Sequence, residues 1–170
     1  MYRRILVPFD GSGASLRGLD EAVGLALPLG ATLRLVHVIH KFDRRPGHAG
    51  PSSYIELVPG SKEAGELLLR QGRGRAEHGG VKVQTMLLAS LTGQLSEMVA
   101  EEARAWRADL IVIGTHGRRG VERILWGSDA EQLMRIAPVP VLLVQAARRP
   151  AEAPAERVGS PARSGAMSRP

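Results

Sequence analysis

Five apolar runs rich in branched side chains recur along the chain, at Ile5 to Val7, Leu33 to Ile39, Val81 to Leu88, Leu110 to Ile113 and Val141 to Val144. Runs of this length and composition predict strands. Several are near-continuous instead of alternating, which requires burial on both faces and hence a parallel sheet covered by helices. Between the runs, apolar positions return at helical spacing. Leu16, Leu19, Val23, Ala26 and Leu27 mark one face of a helix with Ser12 as its N-cap and Gly30 as its stop. Thr92 caps a later helix whose inward stripe is Leu95, Met98, Val99, Ala103 and Trp106. The last helix begins at Ser128, where Ser128-Asp129-Ala130-Glu131 has the form of a capping box, and Pro138 ends what Leu133 and Ile136 bury. A further helix begins near Ser61. Gly65, Gly72 and Gly74 interrupt it, each costing about 1 kcal/mol against alanine, so the pattern does not fix its extent.

Two segments stand outside this alternation. Residues 41–60 hold three prolines and three glycines and read as a long surface loop. From Ala146 onward alanine, proline, arginine, serine and glycine follow one another without period, so residues 146–170 are expected to form a disordered tail. What remains, residues 1–145, is a β-α-β-α-β-α-β-α-β succession. It predicts a single α/β domain with a doubly wound sheet and right-handed crossovers.

Composition narrows the chemistry. The 170 residues include no cysteine, which excludes disulfide frameworks, thiolate nucleophiles and zinc ribbons. The formal charge is +6, and 20 of the 23 basic residues are arginine, which invites a nucleic-acid reading. Five arginines and two glutamates lie in the tail, however, so half of the surplus sits outside the domain. Aromatic residues at 4% are too few for base-stacking platforms, and nucleic acid is not the expected partner. The opening apolar stretch Ile5-Leu6-Val7-Pro8 is too short for a signal peptide, and no window approaches the roughly 20 apolar residues of a membrane span. The expectation is a soluble, cytoplasmic protein without membrane association.

In an open parallel sheet, ligands lie beyond the carboxyl ends of the strands where the winding reverses. The loop after the first strand reads Pro8-Phe9-Asp10-Gly11-Ser12-Gly13, and that after the fourth reads Gly114-Thr115-His116-Gly117-Arg118-Arg119-Gly120. Glycines three apart immediately after a strand let the backbone approach an anion and turn its amides inward. Gly127-Ser128 then opens a helix whose free amides and positive dipole end also favour phosphate. Two amide-donating surfaces on one side of a sheet make a cradle for a polyphosphate. Each residue also has a plainer role: Asp10 as a local turn acceptor, Ser128 as an N-cap, Gly117 and Gly120 as turn residues, Arg118 as solvated charge. His37 and His40 are three apart on a strand and do not share a face, so a protein-ligated zinc site is not supported. A magnesium or manganese ion carried by a nucleotide is the more reasonable metal.

The spacing Gly114-x2-Gly117-x9-Gly127-Ser128 resembles the nucleotide-binding signature of the ATP-binding universal stress proteins. The resemblance extends to Ile5-Leu6-Val7-Pro8-Phe9-Asp10-Gly11-Ser12, to His37-Val38-Ile39 and to the closing Ala137-Pro138-Val139-Pro140-Val141-Leu142-Leu143-Val144, and so spans residues 3 to 145. It implies a five-stranded sheet of order 3-2-1-4-5 and, usually, a homodimer. It also implies ATP bound beside the first and fourth strands. Carried over by position, Pro8 and Asp10 flank the ribose and adenine side, and Val38 meets adenine through its backbone and side chain. Gly114, Gly117, Gly127 and Ser128 hold the phosphates, with the amides of Thr115, His116 and Arg118 between them. Asp129 departs from the family pattern, and either binds a metal or repels phosphate.

Three functions follow. The favoured one is an ATP-binding regulatory protein acting in a stress response, whose conformation or partner surface depends on nucleotide occupancy. The alternative is an enzyme on ATP, a slow ATPase or autokinase or a relative of the adenine nucleotide alpha hydrolases. Gly11-Ser12-Gly13-Ala14-Ser15 matches the pyrophosphate loop of those enzymes poorly, and His116 and Asp129 are the only nearby groups for chemistry. The third is a dimeric interaction module, since the short apolar strand Val141 to Val144 suits pairing with its own copy. A Gly114→Val, Gly117→Val change is expected to abolish ATP retention and leave the fold intact.

Overall fold

The computed structural model describes residues 1–40, 61–90, 94–115 and 128–145. The elements run β1 (Arg4–Pro8), α1 (Gly13–Leu29), β2 (Thr32–His40), α2 (Ser61–His78), β3 (Lys82–Ser90), α3 (Leu95–Trp106), β4 (Leu110–Thr115), α4 (Ser128–Ile136) and β5 (Val141–Gln145). The strands form one sheet of order β3-β2-β1-β4-β5, every neighbouring pair parallel. This is the expected doubly wound α/β arrangement. Winding goes outward from β1 through β2 to β3, then crosses back to β4 and β5, so the reversal lies between β1 and β4. The expected loop at 41–60 and the expected tail at 146–170 lie outside the described residues.

The near-continuous apolar runs are explained by two cores, one on each face of the sheet. Ile5, Val7, Leu33, Leu35, Leu110 and Val112 pack with α1 and α2, whereas Leu6, Val36, Val38, Ile111 and Ile113 pack with α3 and α4. Ile5, Leu6 and Val7 are all fully buried, so the central strand has no solvent face to make polar. Side chains of this size stabilise the fold by roughly 1.5–3 kcal/mol each when fully buried.

Helix α1 shows how local signals fix an element. The Ser12 Oγ accepts the Ser15 amide at 3.2 Å, and Gly30 closes the other end at φ 61°, with the Ala31 amide reaching the Ala26 carbonyl at 3.0 Å. That left-handed closing residue favours glycine. Its inward face differs from the expected one: Leu27 is 57% exposed, and the buried stripe is Ala14, Ser15, Gly18, Leu19, Ala22 and Ala26. Small residues at i, i+4 let the helix axis lie close to the sheet, and a further turn of about 100° from Ala26 carries Leu27 off that face.

Two other expectations are corrected. The N-cap of α3 is Gln94, not Thr92, and its side chain makes no capping bond; Thr92 itself lies outside the described residues. Helix α2 is one continuous 18-residue helix, not an interrupted one. A Cβ at Gly65 would lie 2.8 Å from Leu87 Cδ1, and one at Gly72 would lie 2.8 Å from the Phe9 ring. These two glycines therefore seat α2 against β2 and β3 instead of breaking it. Among the described residues, no helix is long and apolar enough to cross a membrane.

Candidate functional site

Because the strands are parallel, every helix begins at the carboxyl edge of the sheet, with α1 and α2 on one face and α3 and α4 on the other. The loop from β1 into α1 is organised by a short chain of hydrogen bonds. The Ser12 amide donates to Asp10 Oδ1 at 2.9 Å, the Ser15 hydroxyl donates to the Ser12 carbonyl at 3.0 Å, and the Asp10 amide reaches Ser15 Oγ at 3.4 Å. Gly11 takes φ 75°, a left-handed conformation that favours glycine, and its open side faces Leu68 of α2.

The Asp10 carboxylate is exposed at this turn while its base is anchored. Burial pushes its pKa up, but the Ser12 and Ser15 hydroxyls and the amides of Ser12 and Asp10 outweigh burial and hold it below the ordinary value. The positive end of α1 acts in the same direction. Asp10 is thus an ionised acceptor held beside the point where the winding reverses.

Across the reversal, β4 ends in Ile113, Gly114 and Thr115. Gly114 serves a close approach: a Cβ there would lie 1.8 Å from the Ala14 carbonyl oxygen, and a Cβ on Gly18 would lie 2.8 Å from the Gly114 amide nitrogen. The first turn of α1 therefore rests directly on the end of β4. This overturns the expectation that a side chain at Gly114 spares the fold. Thr115 is buried, its hydroxyl 3.5 Å from the Val144 carbonyl of β5.

Val38 lies on the stretch of β2 that projects past the end of β1. The β1–β2 register closes at Pro8 opposite Val36, and the Phe9 amide donates to the Val36 carbonyl at 2.8 Å. Backbone groups of residues i and i+2 point to the same side of a strand. The Val38 N–H and C=O thus face the side of β1, beyond its last paired residue. Among the described residues, the next rung, Val38 amide to Phe9 carbonyl, is not formed. The Val38 side chain is 7% exposed and packs with the α3 and α4 core.

Pro8, Asp10, Val38, Gly114 and Thr115 are accordingly brought to the same edge by adjoining strands. Ser128 opens α4 at that edge, and Asp129 is exposed in its first turn, where an acidic side chain complements the helix dipole. Glu131, the other half of the expected capping box, holds Arg135 at 2.8 Å. His116, Gly117, Arg118 and Gly127 lie outside the described residues. Ser15, Gly18 and His37 take part in the geometry and were not singled out as site residues from the sequence. Ser15 carries a local signal, three residues beyond the capping Ser12, and His37 stands immediately before Val38 in a segment that carries the family resemblance. No group of three or more His, Asp or Glu side chains that could hold a metal occurs among the described residues.

The sequence profile of the Universal stress protein family matches residues 1–145. The chain belongs to that family. A relative from Methanocaldococcus jannaschii, Universal stress protein MJ0531, is 35% identical over 147 residues, covering 85% of this chain and 83% of its own. Among solved structures, a universal stress protein family member from Burkholderia pseudomallei is 34% identical with a TM-score of 0.66, covering 84% of this chain and 96% of that one. Two more distant structures share the fold. A universal stress protein in complex with cAMP has a TM-score of 0.63 at 23% identity, covering 86% of this chain and 98% of that one. The Arabidopsis thaliana protein At3g01520, with AMP bound, has a TM-score of 0.62 at 16% identity, covering 86% and 93%.

Proposed function

We propose that this universal stress protein binds an adenine nucleotide, with ATP as the physiological ligand, at the carboxyl edge of the sheet around Asp10 and Val38. The observation that carries the reading is the donor and acceptor of Val38, unpaired among the described residues, beside an anchored, ionised Asp10. An N–H and a C=O presented together complement the N1 and exocyclic amino edge of adenine. Guanine offers the reverse pattern, and a site built around hydrogen bonds discriminates strongly against a ligand that leaves its groups unpaired. Asp10 takes the ribose hydroxyls as an acceptor. Related structures solved with AMP or cAMP support the same class of ligand.

The phosphates run toward α4. Amides at His116, Gly117 and Arg118 and the opening of α4 at Gly127-Ser128 supply donors and the positive helix end, whereas the Thr115 amide faces β5 and belongs to the β4–β5 ladder, which corrects its expected place among the donors. Gly114 contributes by seating α1. A magnesium or manganese ion travels with the nucleotide and keeps most of its waters. Residues 1–145 constitute this domain, and residues 146–170 are an appended tail.

The protein acts as a regulatory, cytoplasmic homodimer. Its β5 edge, Val141–Gln145, carries four half-buried apolar residues and pairs with β4 on one side. A second copy adding to that edge would cover them. Nucleotide occupancy shifts the population of conformations by the difference in affinity between them.

The test is direct. Denaturing purified protein releases an adenine nucleotide, and titration calorimetry gives binding of ATP and AMP with GMP much weaker. Asp10→Asn, which keeps the turn acceptor but removes the charge, weakens adenylate binding about tenfold, the scale of one charge-assisted hydrogen bond. Equal affinity for AMP and GMP refutes the reading.

A further inference from the structure

The Phe9 carbonyl has left the ladder that its amide still belongs to. A parallel pair that begins with the Phe9 amide donating to Val36 continues with the Val38 amide donating to Phe9. Instead, the Phe9 carbonyl lies 2.9 Å from His37 Nδ1. A carbonyl accepts, so Nδ1 carries the proton, and the neutral ring is the Nδ1–H tautomer. His37 projects to the α2 face, where its Cδ2 lies 3.0 Å from the Cβ position of Gly65. An alanine there would crowd the ring that holds the carbonyl. The imidazole thus draws the Phe9 carbonyl toward one face of the sheet and away from Val38.

We infer that His37 is a positioning residue for the nucleotide: by capturing the Phe9 carbonyl it keeps the Val38 amide free for the base and fixes the peptide that leads into Asp10. The same peptide supplies both effects, because the Phe9 carbonyl and the Asp10 amide belong to one planar unit. The Asp10 amide in turn reaches Ser15 Oγ, and the Asp10 carboxylate holds the Ser12 amide. One imidazole therefore sets the presentation of the base-reading amide and of the ribose-facing carboxylate. The inference rests on the adenylate reading above for its purpose, whereas the hydrogen-bond exchange it describes is measurable without ligand.

The experiment compares full-length wild type, His37→Leu and His37→Asn. In His37→Leu the Phe9 carbonyl returns to Val38, so the Val38 amide, fast in hydrogen exchange in the ligand-free wild type, becomes protected. AMP affinity then falls about tenfold, the value of one lost base contact. Asn places a donor nitrogen two bonds from Cβ, as Nδ1 is, and restores most of the affinity and the fast exchange. Nitrogen-15 spectra of the wild-type imidazole show the Nδ1–H tautomer and need no variant that must fold. An Nε2–H tautomer, unchanged Val38 exchange in a folded His37→Leu, or wild-type AMP affinity in that variant overturns the inference. Wild-type protein that binds no adenylate, while His37→Leu still gains Val38 protection, sinks the nucleotide reading and upholds the capture of the carbonyl.

Discussion

Replacing Gly114 by alanine tests how the carboxyl edge is assembled. The new Cβ would begin 1.8 Å from the Ala14 carbonyl oxygen and 2.9 Å from the Ser15 nitrogen, both backbone atoms that no rotamer change can move. Reaching even 3.0 Å demands that the first turn of α1 and the end of β4 separate by about 1.2 Å. That turn is not free to yield, because Ala14 and Ser15 are buried and Leu19 is fully enclosed in the core one turn on. Overpacking of a well-filled interior costs roughly 1–3 kcal/mol, and backbone against backbone lies at the upper end, so about 3 kcal/mol is expected. For a chain of this size that corresponds to a melting point lowered by about 6–12 °C.

Urea unfolding followed by circular dichroism measures the loss, with Gly24→Ala as its counterpart. Gly24 lies in the interior of the same helix with nothing within 4 Å of its Cβ position. Alanine there removes only the flexibility penalty of glycine and raises stability by about 0.5–1 kcal/mol. Gly114→Ala within 0.5 kcal/mol of wild type, at unchanged m-value, would refute the close packing of α1 on β4. Loss of nucleotide binding in that variant reports the site only when measured at a temperature where the folded fraction is known.

Two further outcomes follow from single residues. Arg34 donates to Glu102 at 2.6 Å, holds Gln84 and lies 4.5 Å over the Trp106 ring, while Glu102 is 9% exposed. Arg34→Leu therefore strands a nearly buried carboxylate at a cost of about 3 kcal/mol in urea unfolding, and adding Glu102→Leu recovers most of it. The Asp109 carboxylate accepts the amides of both Arg3 and Arg4 at 2.8 Å; these backbone bonds and the nearby positive charges hold its pKa below the ordinary value despite some burial. A depressed acid contributes stability above its unfolded pKa and loses it as pH falls through the folded one. The deficit of Asp109→Asn is expected at about 1 kcal/mol at pH 7, reduced by solvent screening, and vanishes below the carboxylate range; a deficit that persists in acid refutes the assignment.

The parts of this molecule that were legible in the sequence are those fixed by neighbours along the chain. The five strands, the Ser12 cap, the Gly30 stop and the opening of α4 at Ser128 each depend on residues within a few positions, and the structure places them there. The winding order of the sheet then locates Asp10 and Gly114 at one edge without any contact being known. What stayed hidden depends on surfaces that meet across long stretches of chain. Gly65 and Gly72 look like helix breakers until Leu87 and Phe9 are found where their side chains would be. Leu27 and Ala22 are both apolar at helical spacing, and only the nearness of the sheet decides that the smaller one is buried.

The same limit explains His37. Judged against other histidines it has no partner at ligand spacing, yet its partner is a backbone carbonyl, which every residue possesses and no residue type advertises. A glycine or a histidine is therefore ambiguous in proportion to how much of its role lies in the opposing surface. Gly24 and Gly114 illustrate the consequence: one residue type, with nothing opposite in the first case and the Ala14 carbonyl opposite in the second, yields stability changes of opposite sign on the same substitution. Measuring both signs in one chain separates intrinsic backbone flexibility from close approach, which neither variant achieves alone.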